Sequence, residues 1–226
     1  MPPAPIRAVY FDAVGTLIFP NPTASAVYAQ VAGRHGHAID PAAISPLLWQ
    51  QFRIEDDLDR QAGWVTSEER ERRRWRNIVS AALPGSSDEL FDELFQHFAQ
   101  PTAWAVPDEA ARTLTELAAA GYRVGMASNY DWRLESVVGG SAALAAVRGR
   151  LVISSVVGVR KPGARFFDAV VASAGCEPGK ILFVGDDVEN DYHGATAAGL
   201  TAVLLDPQDK HPEVEHRVRS LTELLL

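Results

Sequence analysis

The sequence has little cysteine, no long apolar run and no excess of basic residues. Cys176 is the single cysteine among 226 residues, so no disulfide can form within the chain, and a reducing compartment is the simplest interpretation. No apolar stretch has the length of a membrane span or the form of a signal peptide, so we expect a cytoplasmic protein. The net charge of −8 argues against nucleic acid or an anionic membrane as the main partner, because both favour basic surfaces.

Short apolar runs alternate with helical patterns in residues 6–18 and 102–226. Runs of this kind are typical of parallel strands that are covered by helices on both faces of the sheet. The sequence therefore predicts an α/β fold with a Rossmann-like parallel sheet. The predicted strands are Ile6–Phe11, Tyr122–Ala127, Leu151–Ser155, Ile181–Val184 and Thr201–Leu205.

Residues 19–101 have a different pattern, in which no strand is convincing. Pro, Gly and Ser separate helical stretches there, which run over Thr23–Arg34, Pro41–Arg60, Ser67–Leu83 and Ser87–Phe98. We therefore predict two domains: an α/β core formed by residues 1–18 and 102–226, and an all-helical cap, residues 19–101, inserted after the first strand.

Polar side chains follow the ends of the predicted strands. Ligands of open parallel sheets bind beyond the carboxyl ends of the strands, so we expect these side chains to converge on one edge. Crowded carboxylates repel one another unless a cation lies between them, and Mg²⁺ binds carboxylate oxygens, waters and substrate phosphates. Carboxylates, a lysine and a hydroxyl around such an ion are suited to phosphoryl transfer. The residues are Asp12, Ser128, Asn129, Lys161, Asp186 and Asp191.

These segments resemble, in order and spacing, the motifs of the haloacid dehalogenase (HAD) superfamily of hydrolases with a helical C1-type cap. The resemblance implies that Asp12 is the nucleophile, that Ser128 contacts the transferring phosphoryl group and that Lys161 supplies positive charge. It also implies a Mg²⁺ ion held by Asp12, Asp186, Asp191 and the carbonyl of Val14, with Gly15, Thr16 and Asn129 contacting substrate. The expected activity is that of a phosphatase for a small phosphorylated metabolite, with no nucleic-acid or membrane partner, as a monomer or homodimer.

Val14 departs from the phosphatase pattern. In HAD phosphatases this position normally carries a second Asp, which protonates the leaving alkoxide, and general acid–base help of that kind contributes about 10²–10⁴-fold in rate. Valine cannot transfer a proton, so we expect slow hydrolysis of alkyl phosphates. Another acid can replace the missing one. The candidates by composition are Glu55, Asp56, Asp57 and Asp131.

Three relatives that lack this Asp give alternative interpretations. Phosphonoacetaldehyde hydrolases need a cap lysine, and Lys161, Lys180 and Lys210 are the only lysines, none within residues 19–101. A 2-haloacid dehalogenase shares the Ser-Asn pair at 128–129 but needs no metal, which leaves the acidic segment at 186–191 without compensation. A HAD-fold binding module with little turnover is the third.

The cap is rich in Trp and Arg. Trp49 and Arg53 lie one helical turn apart on one face and are predicted substrate contacts. For the run Arg70–Arg76 we expect a structural role, in which Trp75 and Ile78 pack inside the cap. Its arginines would then pair with Glu68, Glu69 and Glu71 on a solvated helix face.

Overall fold

The computed structural model describes residues 5–225 and contains a six-stranded parallel sheet. Its strands are β1 (Ala8–Phe11), β4 (Arg123–Ser128), β5 (Leu151–Ile153), β6 (Ile181–Gly185), β7 (Thr201–Leu205) and β8 (Arg217–Val218). The strand order across the sheet is β5-β4-β1-β6-β7-β8. The central strand β1 pairs with β4 on one side and β6 on the other, with Tyr10 opposite Gly125 and Phe183. The predicted α/β class with a Rossmann-like sheet is confirmed.

Both faces of the sheet are buried under helices. Alternate residues of β1 point to opposite faces, so Val9 and Phe11 join one apolar cluster whereas Ala8 and Tyr10 join another. This two-sided burial explains why the strands are apolar runs rather than alternating patterns. The helices that accompany the sheet are α5 (Asp108–Ala119), α6 (Arg133–Gly140), α7 (Ser154–Val157), α8 (Ala164–Ala174) and α9 (Gly194–Ala197).

Residues 24–97 form four helices around a third apolar cluster. Their starts follow capping chemistry: a side-chain oxygen of the preceding residue accepts a backbone N–H of the first turn. The caps are Thr23, Asp40, Ser67 and Ser87. We call these helices the cap and the sheet with its helices the core. The cap helices are α1 (Ala24–Arg34), α2 (Pro41–Gln61), α3 (Glu68–Ala82) and α4 (Asp88–His97).

A two-stranded antiparallel ribbon lies where the chain leaves and re-enters the core. It pairs β2 (Phe19–Pro20) with β3 (Trp104–Ala105). The expectation that residues 19–101 contain no strand is wrong at Phe19–Pro20, because two residues are too few to show a period in the sequence. The domain boundaries at 18/19 and 101/102 stay predictions, and residues 1–4 and 226 of the predicted core lie outside the described part of the chain. Among residues 5–225, no helix has the length and apolarity to cross a membrane.

Candidate active site

The three carboxylates predicted for the site come together at the carboxyl edge of the sheet. Asp12 follows β1, Asp186 follows β6, and Asp191 lies in a π-helical turn, Val188–His193, after β6. One carboxylate oxygen from each of the three lies within 4.8 Å of the others. They meet because β1 and β6 are neighbouring parallel strands in register, so the residues that follow the two strands leave the sheet side by side at its carboxyl edge.

Lys161 lies in the loop before α8 and bridges two of these carboxylates. Its Nζ is 2.5 Å from Oδ1 of Asp12 and 2.5 Å from Oδ1 of Asp191. The lysine is only 2% exposed, and burial alone would lower its pKa. The charges of Asp12 and Asp191 outweigh that effect and raise the pKa of Lys161, so its amine stays protonated at neutral pH.

One lysine does not compensate three carboxylates. Burial and the Asp12 charge raise the pKa of Asp186 to about 6, although part of the Asp186 residue remains open to solvent. Burial raises the pKa of Asp191 to about 7 even though Lys161 opposes the change. Both shifts mean that burial and the neighbouring carboxylates disfavour the ionised forms of Asp186 and Asp191 when no cation is present. A hard divalent cation with oxygen ligands fits this donor set.

Two glycines allow the carboxylates to approach the backbone. A Cβ on Gly15 would lie 2.4 Å from Oδ2 of Asp186, and a Cβ on Gly185 would lie 2.1 Å from Oδ2 of Asp191. Gly15 also has a φ of +96°, which side-chain-bearing residues rarely adopt. The hydroxyl of Thr16 donates to Oδ1 of Asp186 at 3.0 Å and fixes its orientation. Thr16 and Gly15 therefore shape the carboxylate cluster, and their predicted contact with substrate stays a prediction.

We expect Gly15→Ala to destabilise the protein by about 1–3 kcal/mol, because Ala must adopt a strained φ and displace the Asp186 carboxylate. Denaturant unfolding measures the change. Gly179→Ala is the matched control, because a Cβ there meets nothing within 4 Å. Equal stability of the two variants would contradict the assigned approach of Asp186 to Gly15.

Ser128 is the last residue of β4, and Asn129 follows it. Ser128 is 3% exposed. The Asn129 amide makes two bonds to the backbone of one residue: its Oδ1 accepts the N–H of Lys161 at 2.7 Å, and its Nδ2 donates to the Lys161 carbonyl at 3.1 Å. Asn129 thus holds the backbone of Lys161, and its predicted contact with substrate stays a prediction.

The comparisons with known proteins agree with this geometry. The family model of haloacid dehalogenase-like hydrolases matches residues 6–199. The chain belongs to this family.

The relatives of this HAD-like hydrolase include a phosphatase, and the solved structures that share its fold include a dehalogenase. Haloacid dehalogenase-like hydrolase domain-containing protein 3 of Homo sapiens is 31% identical, over 97% of this chain and 92% of the relative. Phosphoserine phosphatase of Thermus thermophilus is 31% identical over 79% of this chain and 72% of that protein. The solved structure of L-2-haloacid dehalogenase from Xanthobacter autotrophicus superposes with a TM-score of 0.77 at 18% identity, covering 97% of this chain and 96% of that one. At that identity the likeness concerns the fold.

Val14 of this HAD-like hydrolase lies in the tight turn after β1. The turn is closed by the N–H of Leu17 donating to the Ala13 carbonyl at 2.8 Å and that of Gly15 donating to the Ile18 carbonyl at 3.1 Å. Val14 is 37% exposed. Position 14, two residues after Asp12, is therefore partly open to solvent.

Several candidates for a replacement acid are engaged elsewhere. Asp131 is fully buried, and each of its oxygens accepts a bond of 2.7 Å from Arg133. Glu55 is 1% exposed and accepts Asn77 at 2.8 Å, while Asp56 pairs with Arg74 at 2.7 Å. These ion pairs and hydrogen bonds argue against a proton-transfer role for any of the three. Asp57 is exposed, and its role stays a prediction.

The predicted substrate contacts Trp49 and Arg53 lie on the exposed side of α2. Trp49 is 68% exposed, and its ring packs 5.9 Å from that of Phe52 on the same helix. Trp49 precedes Asp59, which contacts Arg160 of the core, by ten positions, which is about 15 Å along a helix. The described contacts therefore do not bring Trp49 or Arg53 to the carboxyl edge of the sheet, and their role stays a prediction.

The expected pairing of the α3 arginines is wrong. Ile78 and Trp75 do pack in the cap cluster, as expected. The arginines, however, bind carboxylates of other helices: Arg70 and Arg74 pair with Asp59 of α2 at 2.7 and 2.8 Å, and Arg72 pairs with Asp92 of α4 at 2.5 Å. Two of the glutamates contact the core instead: Glu71 binds Arg160, and Glu68 accepts the hydroxyl of Ser155 at 2.5 Å.

Sequence reasoning also missed Arg160, which is 6% exposed and joins the cap to the core. Its position directly before Lys161 is the one signal that the sequence offers, since a second buried cation beside Lys161 has to be neutralised. No spacing rule names the partner, because the partner, Glu71, lies 89 residues away.

Proposed function

We propose that this hydrolase is a Mg²⁺-dependent phosphatase of a small phosphorylated metabolite that works through an aspartyl-phosphate. The observation that carries the proposal is the cluster of Asp12, Asp186 and Asp191 around the Lys161 amine at the carboxyl edge of the sheet. The phosphatase relative named above supports the same reaction class. The absence of an excess of basic residues fits a small substrate better than a polyanion.

The first step is attack by a carboxylate oxygen of Asp12 on phosphorus. The bond between phosphorus and the substrate oxygen breaks, and the leaving oxygen takes a proton from solvent, because Val14 has none to give. Lys161 neutralises charge on the transferring group, and the Ser128 hydroxyl donates a hydrogen bond to it. Water then attacks phosphorus of the aspartyl-phosphate, which releases phosphate and restores Asp12.

Asp12, Asp186, Asp191 and the carbonyl of Val14 would hold the Mg²⁺ ion. When bound, the ion neutralises the carboxylates and withdraws charge from the phosphate oxygens. The protein side of this arrangement is the orientation of Asp186 by Thr16 and the close approach to Gly15.

The test is hydrolysis of an activated aryl phosphate by the purified protein. We expect turnover with Mg²⁺ and none with excess EDTA, because the carboxylates without a cation repel the phosphate. A panel of phosphorylated metabolites, assayed by phosphate release, then identifies the substrate. Chloride release from a 2-haloacid in EDTA, without phosphate release, would overturn the proposal in favour of the dehalogenase. Inactivity in both assays would favour a binding module.

Thermal unfolding gives a second measure of metal removal. The folded pKa values of Asp186 and Asp191, about 6 and 7, lie above the ordinary 3.8, so the folded state binds more protons than the unfolded state within this window. Metal-free stability therefore falls as the pH rises from about 4 to 7. We expect the stabilisation by Mg²⁺ to be small at pH 5 and larger at pH 8, because ligand carboxylates must be ionised to bind it. A shift independent of pH would contradict this assignment.

A further inference from the structure

A buried group of charged side chains connects the cap to the residue before Lys161. The guanidinium of Arg160 binds the carboxylate of Glu71 from α3 and lies 3.5 Å from that of Asp59 in α2. Arg160, Glu71 and Asp59 are 6%, 2% and 1% exposed. The three form a salt-bridge group shielded from water, which therefore depends on each partner.

Further bonds hold the cap side of this group in place. Glu71 accepts the hydroxyl of Thr66 at 2.7 Å. Asp59 accepts hydrogen bonds from Nε of Arg70 at 2.9 Å and from Nη1 of Arg74 at 2.8 Å. The cap therefore presents two fixed carboxylates to Arg160 rather than flexible surface side chains.

The backbone before Lys161 is also bonded to the cap. The N–H of Thr66 donates to the Gly158 carbonyl at 3.1 Å, and the N–H of Arg160 donates to the Trp64 carbonyl at 2.8 Å. Val65 and Val159 lie opposite each other in an antiparallel bridge. The segment between α2 and α3 and the segment before Lys161 therefore form one bonded unit.

Asn129 holds the other side of Lys161. Its amide bonds to both the N–H and the carbonyl of Lys161, so the core fixes this peptide while the cap fixes the preceding residue. The amine at the end of the side chain must lie within 2.5 Å of both Asp12 and Asp191. A shift of the backbone at Lys161 would move the amine relative to both carboxylates, which the buried side chain has little room to offset.

We propose that Arg160 and Glu71 are positioning residues, which use the seated cap to hold the Lys161 amine between Asp12 and Asp191. The kinetic consequence rests on the proposed phosphatase function, but the position of the amine does not. Neither residue touches the reacting atoms. Both act through the backbone that carries Lys161.

The chain has only three lysines, so the reactivity of Lys161 can be measured with internal controls. Limited acetylation with acetic anhydride, read residue by residue by mass spectrometry, reports how often each amine is exposed. In the intact protein we expect Lys161 to react far more slowly than Lys180 and Lys210. In Glu71→Gln we expect the Lys161 rate to rise about tenfold or more, as for the loss of one charge-assisted hydrogen bond, with Lys180 and Lys210 unchanged.

Two further variants separate positioning from folding. Arg160→Gln should behave like Glu71→Gln, whereas Arg160→Lys, which keeps the charge, should restore part of the protection of Lys161. Arg72→Gln is the matched control, because its partner Asp92 lies on the exposed surface of the cap. This variant should leave the acetylation rate of Lys161 unchanged. A Lys161 rate unaffected by Glu71→Gln and Arg160→Gln, or a rise at all three lysines together, would overturn the proposal.

Kinetics with the aryl phosphate and Mg²⁺ distinguish this inference from the proposed function. We expect Glu71→Gln to lower kcat about tenfold at nearly constant KM. The reason is that a misplaced Lys161 amine weakens the stabilisation of the transferring phosphoryl group more than it weakens the binding of the substrate. Raised Lys161 reactivity in a protein whose parent hydrolyses no phosphate would sink the phosphatase proposal and leave the positioning role standing. An active parent with an unchanged kcat in Glu71→Gln would sink the positioning role alone.

Discussion

We expect Asp12→Asn to lower the hydrolysis of every phosphate ester by about 10⁴-fold or more, because an amide cannot form the covalent bond to phosphorus. Asn has nearly the size of Asp, so the strand β1 and its pairing should survive. Lys161 keeps Asp191 as a partner at 2.5 Å, so the amine stays paired. The loss should therefore appear in kcat with a folded protein, which circular dichroism and thermal unfolding can verify.

Asp187→Asn is the matched control for this substitution. Asp187 lies next to Asp186 but outside the carboxylate cluster, and its Oδ1 accepts the N–H groups of Glu189 and Asn190 at 2.9 and 2.8 Å. Asn caps a helical turn about as well as Asp, so this variant should keep near-normal turnover. Comparable activity of Asp12→Asn and Asp187→Asn would rule out Asp12 as the nucleophile.

The second large effect is a gain. Val14→Asp should raise the hydrolysis of alkyl phosphates by about 10²-fold or more, because a carboxylic acid at this position can protonate the leaving alkoxide. Val14 is 37% exposed in the turn between Asp12 and Gly15, so a carboxyl group fits there without being buried. Aryl phosphates should gain little, since a phenolate leaves without a proton. The measurement is the ratio of kcat/KM for an alkyl and an aryl phosphate.

Val14→Asn separates proton transfer from polarity. Asn has the shape of Asp but no acidic proton, so its ratio of alkyl to aryl hydrolysis should remain that of the parent enzyme. If Val14→Asp and Val14→Asn behaved alike, another group would already supply the proton. Asp57, the exposed cap acid among the candidates, would then be the next residue to replace.

Strand positions were predictable to the extent that burial leaves a pattern. The run at 201–205 coincides with β7, and the run ending at Phe11 coincides with the end of β1, because both strands are covered by helices and must be apolar on both faces. The two-residue strands β2 and β8 were not predictable, since hydrogen bonds to a partner strand define them and no period of their own does.

The site followed the same division. Asp12, Ser128 and Asp186 could be named because residues after parallel strands meet at one edge whatever the side chains are. The bond partners could not be named. Asn129 hydrogen-bonds to the backbone of Lys161, and Asp131 accepts a hydrogen bond from Arg133, although both lie within three residues of Ser128.

The sequence by itself determined the α/β class, the helical block after the first strand and the convergence of acids with Lys161, because periodicity is a local property of the chain and the residues that follow parallel strands meet at one edge in any strand order. Only the tertiary structure decided how the charges pair. Arg160 and Glu71, for example, form an ion pair although they lie 89 positions apart. The sequence around an arginine does not show whether it will pair with a glutamate on its own helix or with an aspartate on the next helix. Burial selects the partner, because a charge removed from water is stable only beside an opposite charge that the fold already holds in place.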